Sequence, residues 1–236
     1  MENSVRMPVF FEFYGLPGCG KSTVSHAVAR LLREDGYTVE EPSFKIDHQN
    51  IIIKKTKKLT IAFWGYCFHH KTYQKIIDLV RRNGYSGKEL FTQTVNVFQK
   101  IKTYNEISST RIFIWDQGII QAAISLSIKG RISACDNYSV LLSFIKQKTR
   151  IISVFIPATI QVALERMGRR KTNYSRVEKV NDIKQKVKML EKFQEGVVSI
   201  KGISDKPIDS IVVKNTHSIE EQVYDIIQAI YSFMPI

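Results

Sequence analysis

The chain has 236 residues, is 44% hydrophobic, and carries 35 Lys and Arg against 22 Asp and Glu, a formal net charge of +13. That length and apolar content predict a single domain with a large core. Three scattered cysteines, Cys19, Cys67 and Cys135, exclude a disulfide framework and a zinc site, no apolar run nears the roughly 18 residues of a membrane span, and Met1 to Pro8 lack the apolar core of a signal peptide, so the expectation is a cytoplasmic protein.

The first predicted element is Val9-Phe10-Phe11-Glu12-Phe13-Tyr14, an apolar and aromatic stretch suited to a buried strand. Gly15-Leu16-Pro17-Gly18-Cys19-Gly20-Lys21-Ser22 follows, spelling G-x-x-x-x-G-K-S, the phosphate-binding loop of P-loop NTPases. From Ser22 to Arg33, Val24, Ala27, Val28, Leu31 and Leu32 recur at helical spacing. Strand, glycine loop and helix are the context the motif requires. Its glycines let the backbone close around a phosphate, and bared N–H groups at a helix N-terminus attract anions. Gly15, Pro17, Gly18, Cys19 and Gly20 therefore read as the cradle, with Cys19 a filler whose side chain need not touch ligand. Lys21 is placed for the β- and γ-phosphates, Ser22 for Mg²⁺ and Thr23 for the α-phosphate.

A second strand is predicted over Thr38 to Glu41, stopped by Pro42. Glu41 then either faces an acceptor hydroxyl or is a solvated acid. Helix is predicted from His48 to Arg82 and from Lys88 to Ile107, broken at Asn83-Gly84-Tyr85-Ser86-Gly87. Residues 48–107 thus form a helical insertion on the acceptor side. Core packing accounts for most of Phe63, Trp64, Tyr66, Phe68 and Tyr73, leaving one or two to line an acceptor pocket beside Gln93.

The third strand, Ile112 to Trp115, ends in Asp116, and Gly118 turns the chain into a helix over Ile119 to Lys129. Asp116 is either a metal or proton-accepting carboxylate beside the phosphate loop or that helix's N-cap. A fourth strand, Ile151 to Ile156, and a helix, Ala158 to Gly168, lead to Arg166, Arg169, Arg170 and a polar run ending at Arg176. Residues 166–176 read as an arginine-bearing lid, the alternative being a basic helix end favoured by the dipole. After the last strand, Ser210 to Val213, the loop Lys214 to His217 is placed near a nucleotide base, and Ser218 with Glu221 forms a capping box. Apolar strands alternating with helices predict a parallel sheet whose ligands bind at the strands' carboxyl ends.

These four sites in this order resemble the P-loop nucleoside and nucleotide kinases, most closely the thymidylate kinase and deoxynucleoside kinase branch. The resemblance implies an α/β fold of three layers, α/β/α, with a five-stranded parallel sheet in order 2-3-1-4-5 and a lid closing over ATP and Mg²⁺. It implies that Gly15 to Thr23 bind the donor phosphates, that Ser22 and Asp116 serve the metal, and that Glu41 is the base. Arg166, Arg169 and Arg170 look like lid arginines, and Asn215-Thr216 like the adenine loop. The chain departs from the pattern in two places. Gln117 stands where the family carries Arg after the third-strand acid, and Glu40-Glu41-Pro42-Ser43 stands for the thymidylate kinase Arg-Glu-Pro-Gly. The expected activity is transfer of the γ-phosphoryl of ATP to a small acceptor, nucleoside, nucleotide or sugar-like, with an anionic acceptor suited to the charge.

The charge sits partly in Lys54-Lys55-x-Lys57-Lys58, Arg81-Arg82, Arg169-Arg170-Lys171 and Lys184-x-Lys186-x-Lys188. Such charge suits phosphorylated metabolites, nucleic acid or an anionic membrane surface. A polynucleotide-directed kinase or nucleic-acid-binding ATPase is the second reading. The aromatic residues are not interleaved with the basic runs as a stacking platform requires. A nucleotide-binding switch is the third, and the base-reading Asn-Lys-x-Asp of GTPases is missing from the sequence. A homodimer is left open.

Overall fold

The computed structural model describes residues 8–43, 51–107, 111–146, 149–169, 177–201, 209–213 and 218–233, without the side chains of 51–55, 57 and 58. Five strands, β1 (Val9–Tyr14), β2 (Val39–Glu40), β3 (Ile112–Trp115), β4 (Arg150–Phe155) and β5 (Ser210–Val212), form one sheet in the order β2-β3-β1-β4-β5. Every pairing is parallel. β1 is central, and Phe10, Phe11 and Phe13 have no exposed surface, as a strand covered on both faces requires.

Among the described residues, the helices are α1 (Lys21–Glu34), α2 (Ile51–Phe68), α3 (His70–Arg82), α4 (Gly87–Glu106), α5 (Ile119–Ser127), α6 (Ala134–Leu142), α7 (Ile160–Gly168), α8 (Ile183–Lys201) and α9 (Ile219–Phe233). α1 packs with α9, whereas α5 packs with α4, α6 and α8, so the sheet is sandwiched between two helical layers. α2, α3 and α4 contact one another between β2 and β3 in the chain. At Ser218 the N-cap half of the expected capping box is present: its hydroxyl accepts the Glu221 N–H at 3.1 Å.

The single helix expected over 48–82 is two helices. His69 leaves helical geometry at φ −131° and ψ 34°, and its ring packs 4.3 Å from that of Trp64. The break lets α3 fold back, and Gly65 marks the close crossing: a Cβ there would stand 2.7 Å from Tyr73 and 2.8 Å from Phe98. Neither Gly nor Pro stands at 69, so the driving force is tertiary packing rather than local propensity. α6 is a further element beyond the sequence expectation. Ser133 caps it, accepting the Asp136 N–H at 3.0 Å, and Ser133-x-x-Asp136 was the available signal. β2 is shorter than expected, since Glu41 has left the ladder. α5 ends at Ser127, two residues before the expected Lys129, ahead of the turn at Gly130 (φ +74°).

Candidate active site

The Gly15–Ser22 loop, the phosphate loop expected from the sequence, begins where β1 ends and closes on α1. Its shape depends on glycine at Gly18, where φ is +84° and a Cβ would meet the Ala163 carbonyl oxygen at 2.6 Å. The N-cap of α1 is Gly20, in the left-handed region with no side-chain cap. The first-turn N–H groups of α1 therefore keep their positive end open to an anion. Lys21 is 9% exposed. Its ammonium lies along the loop, donating to the carbonyls of Gly15 at 3.0 Å and Leu16 at 2.8 Å and lying 3.6 Å from Cys19 Sγ. Cys19 is buried, while Ser22 and Thr23 are exposed at the mouth of the helix.

β3 lies beside β1 and delivers Asp116 to the loop. The Ser22 hydroxyl donates to Asp116 Oδ2 at 2.6 Å. Asp116 is 7% exposed, and its Oδ1 is buried with no hydrogen-bond partner. Asp116 is not the cap of α5, whose N-cap is Gly118. A hydroxyl joined to a carboxylate with a spare buried oxygen is a fitting donor set for Mg²⁺, which takes one or two carboxylates and completes its shell with phosphates and water. The described residues hold no group of three or more His, Cys, Asp and Glu that could hold a metal ion.

Glu41 is also buried, at 7% exposure, so it is not a solvated acid. Its Oε2 pairs with Arg33 at 2.7 Å and its Oε1 with His26 Nδ1, both partners lying on α1. Glu40 pairs instead with Arg111. Arg166, near the end of α7, donates to the Cys19 carbonyl at 2.7 Å, which puts one guanidinium directly against the phosphate loop. Arg169 is exposed at the C-cap of the same helix. Residues 170–176 of the expected lid, Arg170 among them, together with Asn215 and Thr216, lie outside the described residues. Gln93 is half-buried on α4, and Gln117 is exposed after Asp116. A cation does reach that position: Lys100 of α4 donates to the Gln117 carbonyl.

Two site-building residues escape a reading of the sequence. Gln121 of α5 accepts the Gly15 N–H at 3.3 Å. Glu12, inside β1, has no exposed surface; it accepts the Ile120 N–H at 2.8 Å and the Tyr104 hydroxyl. Burial pushes its carboxyl up to about 7, outweighing the opposing pull of the Ile120 and Ile119 N–H groups and of Lys100. On the same side of the sheet, proximity to Glu12 adds to the burial that raises the Tyr138 hydroxyl. A lone carboxylate in an otherwise apolar, doubly covered strand was the signal in the sequence.

Two of the basic runs have ordinary settings. Arg81 and Arg82 end α3, where the helix dipole favours them, and Arg81 pairs with Asp78 at 3.5 Å. Lys184 and Lys188 are exposed on α8, lining a shallow depression with Ile183, Val187 and Glu191 that shares no residue with the phosphate loop. Cys19, Cys67 and Cys135 are all free. Among the described residues no helix is long and apolar enough to cross a membrane.

The same arrangement of sheet and helices is found in a solved structure of deoxyadenosine kinase from M. mycoides with dCMP and dCDP bound. It is 14% identical to this chain with a TM-score of 0.54, covering 95% of this chain and 100% of that one. The chain has the fold of a deoxynucleoside kinase. A second structure of the M. mycoides enzyme, with dATP bound, is 15% identical with a TM-score of 0.52 over 95% of this chain and 99% of that one. No protein-family model matches the chain, and neither does any curated protein.

Proposed function

We propose that this deoxynucleoside kinase-like chain is an ATP- and Mg²⁺-dependent phosphotransferase acting on a small acceptor, with a nucleoside or nucleotide the favoured class and a sugar-like metabolite the alternative. The observation that carries the proposal is the joining of Ser22 to Asp116 at 2.6 Å with Asp116 Oδ1 left unpaired at the mouth of the phosphate loop. The nucleotides bound in the M. mycoides structures favour the nucleoside class.

In this reading the loop amides and the first turn of α1 hold the β- and γ-phosphates, and Lys21 swings from the Gly15 and Leu16 carbonyls onto them. Ser22 and Asp116 would hold Mg²⁺, which would supply charge neutralisation across the donor phosphates. Arg166, already against Cys19, turns its guanidinium to the transferring group. The acceptor oxygen forms its bond to the γ-phosphorus as the bond to the bridging oxygen breaks, and ADP departs with that electron pair. Where the acceptor is a hydroxyl, its proton passes to Glu41 or to Asp116. Glu41 is the better placed of the two to pass it on, because His26 bonds the same carboxylate and is half exposed. Residues 48–107 serve as the acceptor-side insertion of a single domain, and 166–176 as the lid, with Arg169 and Arg170 joining Arg166 on closure and Asn215-Thr216 meeting the adenine.

The test is calorimetric titration with MgATP, followed by incubation of the protein and radiolabelled ATP with a pool of nucleosides, nucleotides and sugars. The expected result is saturable heat and one labelled product, with product formation falling at least about 10²-fold in Lys21→Ala. Absence of heat, or ATP consumption indifferent to every acceptor in the pool, overturns the reading.

A further inference from the structure

Glu12 sits midway along β1, on the face of the sheet that meets α4 and α5, and its carboxylate fills three roles at once. It accepts the Ile120 N–H at 2.8 Å, so it caps the first turn of α5 from another element. α5 cannot be capped by its own N-cap residue, because that residue is Gly118. Glu12 also occupies the space that a Cβ at residue 118 would need, so the turn after β3 is moulded onto the carboxylate. Its second oxygen takes the hydroxyl of Tyr104 from α4.

The segment clamped in this way is the one that grips the phosphate loop. Asp116, on one side of Gly118, receives the Ser22 hydroxyl at 2.6 Å, and Gln121, on the other, receives the Gly15 N–H at 3.3 Å. We propose that Glu12 is a positioning residue for phosphoryl transfer, fixing Asp116 and Gln121 against the phosphate loop by clamping the β3–α5 turn, with Tyr104 of the inserted helices orienting the carboxylate. This deepens the phosphotransferase reading and rests on it. A purely packing role would be met better by an apolar residue, since a buried carboxylate is costly unless its hydrogen bonds are needed. Phe10, two residues earlier on the same face of β1 and 4.3 Å from the Tyr104 ring, shows that large apolar side chains fit this face.

The test compares Glu12→Ala, Glu12→Gln and Tyr104→Phe with the full-length wild type. Two readouts are used: amide hydrogen exchange over residues 116–121 in the protein alone, and steady-state transfer kinetics. Glu12→Ala is expected to exchange about tenfold faster over 116–121 with β3 and β4 unchanged. Its kcat should fall about 10- to 100-fold, the range for groups that orient metal-site residues, with KM for ATP changed less than about threefold. Glu12→Gln keeps an oxygen for the Ile120 N–H, so both readouts should return to within about threefold of wild type. If Glu12→Ala does not fold, Tyr104→Phe is expected to speed exchange over the same segment and lower kcat about three- to tenfold. Wild-type exchange over 116–121 in folded Glu12→Ala, or in Tyr104→Phe where that variant decides, overturns the inference whatever the activity. So does a folded Glu12→Gln as impaired as Glu12→Ala. A wild-type protein that transfers no phosphoryl to any acceptor defeats the phosphotransferase reading instead, and the exchange data distinguish the two failures.

Discussion

Replacing Glu12 by Gln should change how stability depends on pH, and the size of the change follows from its burial. Glu12 is fully buried and its carboxyl is raised from 4.5 to about 7. A raised folded value means that the folded state holds the proton more tightly than the unfolded chain. The stabilisation is therefore complete below about pH 4.5 and is lost as pH rises through about 7. The gap of about 2.5 pH units corresponds to about 3.4 kcal/mol at 1.36 kcal/mol per unit. Between about pH 5 and about pH 8 the loss is about 2.5 kcal/mol, because part of the penalty is already present at the lower end. Glutamine keeps the shape and the acceptor oxygen but does not titrate, so groups common to both proteins cancel in the difference. Urea unfolding at several pH values should show wild type losing about 2.5 kcal/mol relative to Glu12→Gln across that range, or about 5–10 °C in Tm for a chain of this size. Parallel pH profiles for the two proteins, within about 0.5 kcal/mol, would refute the idea that ionising Glu12 strains the core.

Other expectations concern the phosphate loop and its partners. Lys21→Ala should lower kcat about 10²- to 10³-fold, the scale for a lost charge-stabilising donor, with melting temperature and circular dichroism close to wild type. Asp116→Asn keeps an oxygen for the Ser22 hydroxyl but removes the charge. Calorimetry with and without Mg²⁺ should show the metal-dependent gain in ATP affinity shrinking at least about tenfold while metal-free binding holds. Glu41→Gln should lower kcat about 10²- to 10⁴-fold if Glu41 takes the acceptor proton, and less than Asp116→Asn if Asp116 does, so the paired kinetics assign the base. Gly18→Ala should destabilise by about 1–3 kcal/mol and abolish ATP binding, because the new methyl meets the Ala163 carbonyl at φ +84°; unchanged denaturation midpoints and binding would count against the loop geometry.

The helices between β2 and β3 and the setting of Arg166 show where chain-level reasoning stops. The apolar runs at 9–14, 112–115 and 151–156 announce buried strands because burial on both faces leaves no polar period to confuse the pattern. The order of those strands came from resemblance rather than periodicity, and the fold of the M. mycoides kinase agrees with it. The break at His69 was illegible because it arises from Trp64, Tyr73 and Phe98 packing across Gly65, contacts that have no local signature. Arg166 could be singled out as a basic residue near a helix end, but its contact with the Cys19 carbonyl joins positions 147 residues apart.

The amino-acid order by itself determined the phosphate loop, since G-x-x-x-x-G-K-S constrains backbone conformation and functional groups within eight consecutive residues. It also determined that a carboxylate ends the third strand. Tertiary structure alone decided that Ser22 and Asp116 meet at 2.6 Å, that Glu41 is buried between Arg33 and His26, and that Glu12 caps a helix begun more than a hundred residues later. The physical reason is that periodicity reports which side chains leave water, whereas the partner each buried polar group finds is set by strand order and helix packing.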